Sequence, residues 1–124
     1  EVGGGWRVVC VYPPGAEVRD SVTICEADVA TLQPGEFVND SVIDFFIMYM
    51  QSLLSPHQRS QCHFFGTYFY KKMSKETTQE KAHAAVAKWT RRVDVFAKEF
   101  VFVPICSNLH WTLAVICWPY RVCP

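Results

Sequence analysis

Three kinds of feature are missing from this sequence of 124 residues, and each absence excludes a class of protein. Twelve Lys and Arg balance twelve Asp and Glu, so there is no basic field to hold nucleic acid or an anionic membrane. The longest apolar stretches, near residues 100–106 and 113–118, are far too short to span a bilayer. We therefore expect neither a nucleic-acid partner nor a membrane association. The sequence opens at Glu1 without a signal-peptide pattern, and we interpret it as part of a longer protein.

Paired cysteine motifs are also missing. The chain has six cysteines, but none form a C-x-x-C pair and their spacing fits no zinc ribbon or finger. We expect reduced thiols, most of them buried as small hydrophobic residues. We expect no structural metal and no cofactor.

What is present is a large apolar fraction. Half of the residues are hydrophobic and 15% are aromatic, which is enough for one ordered domain or part of one. Near the start, residues 6–12 and Val22–Cys25 have the composition of short strands. One or two helical turns over Asp28–Leu32 would stop at Pro34-Gly35.

The strongest helical pattern runs from about Asp40 to Leu54. Asn39 or Asp40 is a suitable N-cap, since its side-chain oxygen can accept a free N–H of the first turn. Apolar residues then repeat at helical spacing and fill nearly the whole circumference. Such a pattern is typical of a buried helix, so we predict the central helix of the fold, ended by Pro56.

The second half of the chain has a different pattern. An aromatic cluster at Phe64–Tyr70 precedes a polar stretch, Lys71–Lys81, that we predict to be a solvated loop. Apolar residues between Ala82 and Trp89 then indicate an amphipathic helix.

Two segments near the end are rich in β-branched and aromatic residues, Phe100–Ile105 and Trp111–Trp118. Ser107-Asn108 between them is a turn signal and predicts an antiparallel pair. The order of strands, helices and hairpin predicts an α+β fold.

His110 is the leading candidate for chemistry. At the start of the last strand, His110 is suited to act as a general base, since the unperturbed pKa of histidine lies near neutrality. The alternative is a surface or capping histidine. Trp111 is either a core aromatic or a cover over an extended peptide, with Phe37 as the opposite wall. Two such walls would select glycine, which has no Cβ. Asp40 is either a helix cap or the partner of a basic group. The other histidines have no comparable setting (His57, His63, His83).

At this point a string of motifs resembles a known family, the ubiquitin-like-protein proteases, or SUMO (sentrin)-specific cysteine peptidases. The resemblance covers most of the chain, which is similar to the N-terminal half of the catalytic domain in this family. Within the family, the chain is most similar to the branch that trims SUMO chains. The motifs occur in the family's order: Val11-Tyr12-Pro13-Pro14, Pro34–Asp40, Ile43-Asp44-Phe45-Phe46, Phe69-Tyr70, Trp89-Thr90, Val93-Asp94-Val95-Phe96, Val103-Pro104-Ile105 and His110-Trp111-Thr112-Leu113.

The resemblance implies an incomplete papain-like cysteine protease fold, with the helical part and the first strands of the central sheet. It makes His110 the catalytic histidine of a Cys-His-Asp triad, and Trp111 and Phe37 the aromatics around the Gly-Gly tail of the substrate. It makes Asp40 a contact to the SUMO surface. The implied partners are SUMO and SUMO-conjugated proteins, the implied state is a monomer, and the implied location is the nucleus, with the cytoplasm as a further site.

The sequence departs from the family at two positions of the triad. The family has an aspartate after the histidine and a cysteine in Asp-Cys-Gly, and neither is present here. Cys106, Cys117 and Cys123 lack that context. We therefore expect residues 1–124 to be one partial catalytic domain, truncated after the histidine strand and inactive alone. The alternatives are a non-catalytic SUMO-binding module and an unrelated α+β domain.

Overall fold

The structure is a computed structural model that describes residues 6–122. It divides into two units, residues 1–53 and residues 54–124. Both helices and strands occur, as the sequence predicts for an α+β protein. Within the described part of the chain, no helix has the length and apolar character needed to cross a membrane.

The first unit is built on a two-stranded antiparallel sheet. Strand β1 spans Val8–Tyr12 and pairs with β2, Val22–Cys25, so that Tyr12 lies opposite Val22. A 3₁₀ turn at Val18–Asp20 lies between the two strands. Helix α1, Glu26–Ala30, follows β2 directly, and helix α2 spans Asp40–Ser52.

Helix α2 begins where the sequence predicts but is not the buried helix that was expected. Its residues are half-buried or exposed, with Phe46 at 55% and Met50 at 48% exposure. It packs on β2 and α1. Phe45 and Tyr49 also contact the ring of Tyr12 in β1. These short elements leave part of the circumference of the 13-residue helix accessible, including Phe46 and Met50.

The second unit contains a three-stranded sheet flanked by short helices. Strand β3, Cys62–Phe64, runs parallel to β4, Phe100–Ser107, and β4 pairs antiparallel with β5, His110–Cys117. The predicted hairpin is thus confirmed, and the parallel strand β3 was not foreseen. The helices are α3, Pro56–Gln61; α4, Thr67–Met73; and α5, Gln79–Val86, with 3₁₀ turns at Ala87–Thr90, Val95–Ala97 and Pro119–Arg121.

Local capping explains two differences from the sequence prediction. Pro56 is the first residue of α3, behind the N-cap Ser55, where its missing N–H is harmless. The segment predicted as a loop over Lys71–Lys81 is helical at both ends, because α4 runs to Met73 and Thr78 caps α5 by accepting from the Lys81 N–H.

The core of the second unit lies where β4 meets α4. Phe65, Val101 and Val103 are buried, and Phe69 stacks on Phe65 with 3.6 Å between ring centroids. Their neighbours are half-buried apolar residues (Tyr70, Val95, Ile105, Ala114). This core anchors β4, and through the ladder it fixes the position of β5.

Candidate active site

His110 is the first residue of β5 and is exposed. The two residues before it, Asn108 and Leu109, have φ angles of 51° and 59°. Two consecutive left-handed residues between paired strands form the primed type of hairpin turn, whose twist matches that of the strands. Ser107 lies opposite His110 across this turn. The imidazole is therefore carried at the end of a hairpin whose other end is held by the core.

Trp111 is half-buried and lies opposite Cys106 in the ladder. Because side chains alternate along a strand, His110 and Trp111 project to opposite faces of the hairpin. The structure thus places the two predicted site residues next to each other along the chain but on different faces. A peptide contacting both would have to pass the end of the strand.

The same alternation separates His110 from the thiols of its own unit. Cys106 faces the side of Trp111, opposite to that of His110. Cys117 and Cys62 both align with Phe100, at the far end of β4 from Ser107. Seven residues of strand at about 3.3 Å each separate the two ends by roughly 23 Å.

The cysteines are more exposed than the sequence analysis expected. Cys10, Cys106 and Cys117 are exposed, while Cys25 and Cys62 are half-buried, and all five are free thiols. The expectation of buried cysteines was wrong because β1 and β5 have accessible faces and because the last two residues of β4, Cys106 and Ser107, are exposed. Cys123 lies outside the described residues. Within residues 6–122, no cluster of three or more His, Cys, Asp and Glu side chains could hold a metal ion.

Phe37 and Asp40 belong to the first unit, whereas His110 and Trp111 belong to the second. Phe37 is 66% exposed in the segment that joins α1 to α2. Of the two N-cap candidates, Asn39 is the cap: its side-chain oxygen accepts from the Val42 N–H at 3.2 Å. Asp40 is the first helical residue, where the helix dipole favours a negative charge.

Asp28 is a residue to which the sequence analysis gave no role. Its carboxylate accepts from the Cys25 N–H and from Nδ2 of Asn39, each at 2.7 Å. The bond from the Cys25 backbone is the main cause that lowers the pKa of Asp28; burial opposes it, and bonds from Asn39 and Ser41 add to it. The sequence signal that could have identified Asp28 is its position three residues after the helix N-cap Cys25, where an acidic side chain can accept from the N-cap backbone N–H.

The second unit also has an apolar concavity of about 640 Å³. Its walls come from α4, α5 and the sheet, and include Phe69, Val86 and Ala114. His63 is half-buried near this core with its ring 4.5 Å from that of Phe65, and burial, with Lys98 as a second cause, lowers its pKa. The neutral form of His63 is thereby favoured, which suits a packed residue rather than a catalytic one.

Known proteins are similar to this chain over the region that contains the candidate site residues. A family model described as the Ulp1 protease family, C-terminal catalytic domain, matches residues 36–123. Probable ubiquitin-like-specific protease 2B of Arabidopsis thaliana is 43% identical over 119 residues, which cover 90% of this chain and 13% of that protein. Sentrin-specific protease 6 of Mus musculus is 38% identical over 120 residues, covering 88% of this chain and 10% of that protein.

Two solved structures are similar in fold. A crystal structure of a de-sumoylating protease aligns with a TM-score of 0.69 and 28% identity, over 82% of this chain and 40% of the other. The C-terminal Ulp1 protease domain in complex with SMT3, the yeast ortholog of SUMO, aligns with a TM-score of 0.64 and 29% identity, over 82% and 42%. These matches confirm the predicted protease fold, present here in part.

The chain thus spans less than a sixth of the curated relatives named above and about two fifths of the solved domains. The family match includes Phe37, Asp40, His110 and Trp111, the four residues that the motifs singled out. The chain belongs to the Ulp1 protease family, and residues 36–123 fall within its C-terminal catalytic domain.

Proposed function

We propose that this chain is the histidine-bearing part of a SUMO-specific cysteine protease, an isopeptidase that cleaves after Gly-Gly to release SUMO from lysines. The observation that carries the proposal is the exposed His110 at a hairpin end, inside the region that matches the catalytic domain of the family. The names of the relatives and the solved complex with SMT3 support SUMO as the partner. We also propose that the protein is a monomer and that it is located in the nucleus, with the cytoplasm as a further site.

In the proposed reaction, a cysteine thiolate attacks the carbonyl carbon after Gly-Gly, and the C–N bond to the lysine breaks. His110 first takes the thiol proton and then donates it to the leaving lysine amine. Trp111 and Phe37 hold the glycine tail, which presents no Cβ to either ring. Asp40 orients the body of SUMO by pairing with one of its basic groups.

We propose further that residues 1–124 do not cleave by themselves. After His110 the sequence has no Asp and no Gln, and no Asp-Cys-Gly occurs anywhere in it. In the second unit, Cys106 projects to the face opposite His110, and Cys62 and Cys117 lie at the far end of β4. Loss of the nucleophile from a triad costs on the order of 10⁶ in rate.

A SUMO probe with a thiol-reactive C-terminus tests the enzyme assignment. We expect labelling when the probe is applied to the full-length gene product, on a cysteine outside residues 1–124, and no labelling of this chain. Labelling of Cys106, Cys117 or Cys123 would contradict the claim that the chain lacks a nucleophile. A full-length product that binds SUMO but is never labelled would instead favour the non-catalytic binding module.

Binding tests the substrate-contact residues separately. Central aromatic residues of an interface typically contribute 2 kcal/mol or more, so Trp111→Ala and Phe37→Ala should each weaken SUMO affinity at least about tenfold. Trp6→Ala is the control, since it removes an 86% exposed indole outside the proposed surface. Circular dichroism checks that each variant stays folded. Equal affinities of folded variants and parent would count against the tunnel assignment.

A further inference from the structure

A loop in the first unit is closed at its base by side-chain bonds to Asp28, from Asn39 and from Ser41. The bond from Nδ2 of Asn39 to Oδ1 of Asp28, 2.7 Å long, joins residues that stand 11 positions apart. The segment between them, residues 29–38, carries Phe37 near its end. Asp28 is itself held, because its other oxygen accepts from the Cys25 N–H at the junction of β2 and α1. The loop is thus tied to the sheet through one carboxylate.

We propose that Asp28 is a positioning residue of the SUMO-binding surface: through Asn39 it fixes both the loop that presents Phe37 and the start of the helix that carries Asp40. This inference rests on the proposed function, in which Phe37 and Asp40 contact SUMO. Asp28 does not touch the substrate in this scheme. It acts through its bonds to Asn39 and Ser41.

The bond from Asn39 decides which way its amide group points. The amide donates through Nδ2 to Asp28, so Oδ1 is turned toward the helix, where it accepts from the Val42 N–H at 3.2 Å. With the amide reversed, an NH₂ group would face the Val42 N–H and a carbonyl would face a carboxylate, and both bonds would be lost. The negative charge of Asp28 therefore selects the orientation that caps α2.

The interior of the loop is already ordered by backbone bonds. The Glu36 N–H donates to the Gln33 carbonyl across Pro34-Gly35, with Gly35 at φ 86°, and the Thr31 N–H donates to the Asp28 carbonyl. The orientation of the loop as a whole is left to the side-chain bonds of Asp28, with Asn39 as the partner that closes the loop. Because Phe37 is 66% exposed, its own packing does little to hold it. A fixed base reduces the ordering cost when a partner binds.

An exchange of donor and acceptor tests the proposal. Asp28→Asn puts an NH₂ group against a donor and should weaken SUMO affinity about tenfold, the usual effect of losing a hydrogen bond to a charged group. Asn39→Asp alone places two carboxylates together and should have at least the same effect. The double substitution Asp28→Asn with Asn39→Asp lets the new amide donate to the new carboxylate, which still accepts from Val42. Affinity should return to within about threefold of the parent.

Asp20→Asn is the matched control, since Asp20 is exposed and paired with Arg19 in the same unit. Hydrogen exchange of the Val42 amide supplies a readout that needs no SUMO: it should accelerate at least about tenfold in each single variant and recover in the exchange variant. Amides of β1, which do not bond to Asp28, should keep their protection, which shows that the unit stays folded.

The outcomes separate the two claims. Faster Val42 exchange in the single variants, without any SUMO binding by the full-length parent protein, would refute the proposed function while leaving the anchoring of the loop intact. Unchanged Val42 exchange in Asp28→Asn, or an exchange variant as weak as the single variants, would overturn the role of Asp28.

Discussion

The left-handed turn before His110 predicts that Leu109→Gly changes the stability of the second unit only slightly, although it removes a large side chain. Leu109 has φ 59° and is 72% exposed. A left-handed residue with a Cβ costs roughly 1–2 kcal/mol, which glycine avoids. Glycine gives back about 0.4–1 kcal/mol through the entropy of the unfolded chain. The small buried part of Leu109 is worth about 0.5 kcal/mol. The net expectation is a free energy of unfolding between about 0.5 kcal/mol below and about 1 kcal/mol above that of the parent.

The control is the same substitution four residues later. Leu113 lies inside β5 and is 59% exposed. Glycine in a strand interior costs about 0.5–1 kcal/mol, and the buried two fifths of the side chain add about 1 kcal/mol. Leu113→Gly should therefore lower the free energy of unfolding by about 1.5–2 kcal/mol. The two variants differ in composition from the parent in the same way, so only the backbone position separates them.

Urea unfolding followed by tryptophan fluorescence measures both variants, at submicromolar concentration to limit association. Trp89, Trp111 and Trp118 all belong to the second unit and report on it. The urea midpoint of Leu109→Gly should stay close to that of the parent, and the midpoint of Leu113→Gly should fall clearly. A loss in Leu109→Gly as large as in Leu113→Gly would refute the left-handed turn and with it the placement of His110.

Two further predictions concern the core and its histidine. Val101→Ala removes two methyl groups from a residue that is 3% exposed. Urea unfolding should therefore show a free energy of unfolding that is about 1–3 kcal/mol lower than in the parent. The control Val115→Ala, at a residue that is 45% exposed, should lower the free energy of unfolding by well under half as much. Burial, and secondarily Lys98, lowers the pKa of His63 from its ordinary value of 6.5 and so favours the neutral form in the folded protein. Below pH 6.5 the unfolded chain therefore binds this proton more readily than the folded chain does. The contribution of His63 to stability is fully present above pH 6.5 and is lost as the pH drops toward 5. Urea titrations at several pH values should show a smaller loss of stability at low pH in His63→Gln than in the parent. The control His57→Gln, at an exposed residue, should lose as much stability at low pH as the parent. An unchanged pH dependence of stability in His63→Gln would contradict the neutral, buried state of His63.

Local patterns predicted most of the elements. The hairpin of β4 and β5 follows from two β-rich segments around a turn, and α2 begins at Asn39 and Asp40 because a capping side chain is a local signal. Strand β3 was missed because it has three residues and pairs with a strand 38 positions away. The start of α3 at Pro56 was missed because a proline that ends one helix can also begin the next.

The sequence by itself determined which residues matter here: a histidine at the start of a strand, an indole beside it, an aromatic residue before a capped helix, and the lack of Asp-Cys-Gly. These are matters of residue type and order along the chain. Only the tertiary structure decided that Cys106 projects away from His110, that α2 is partly exposed, and that Asp28 reaches Asn39. Strand register and contacts between distant segments set these features, and both depend on how whole elements pack, which no local pattern specifies.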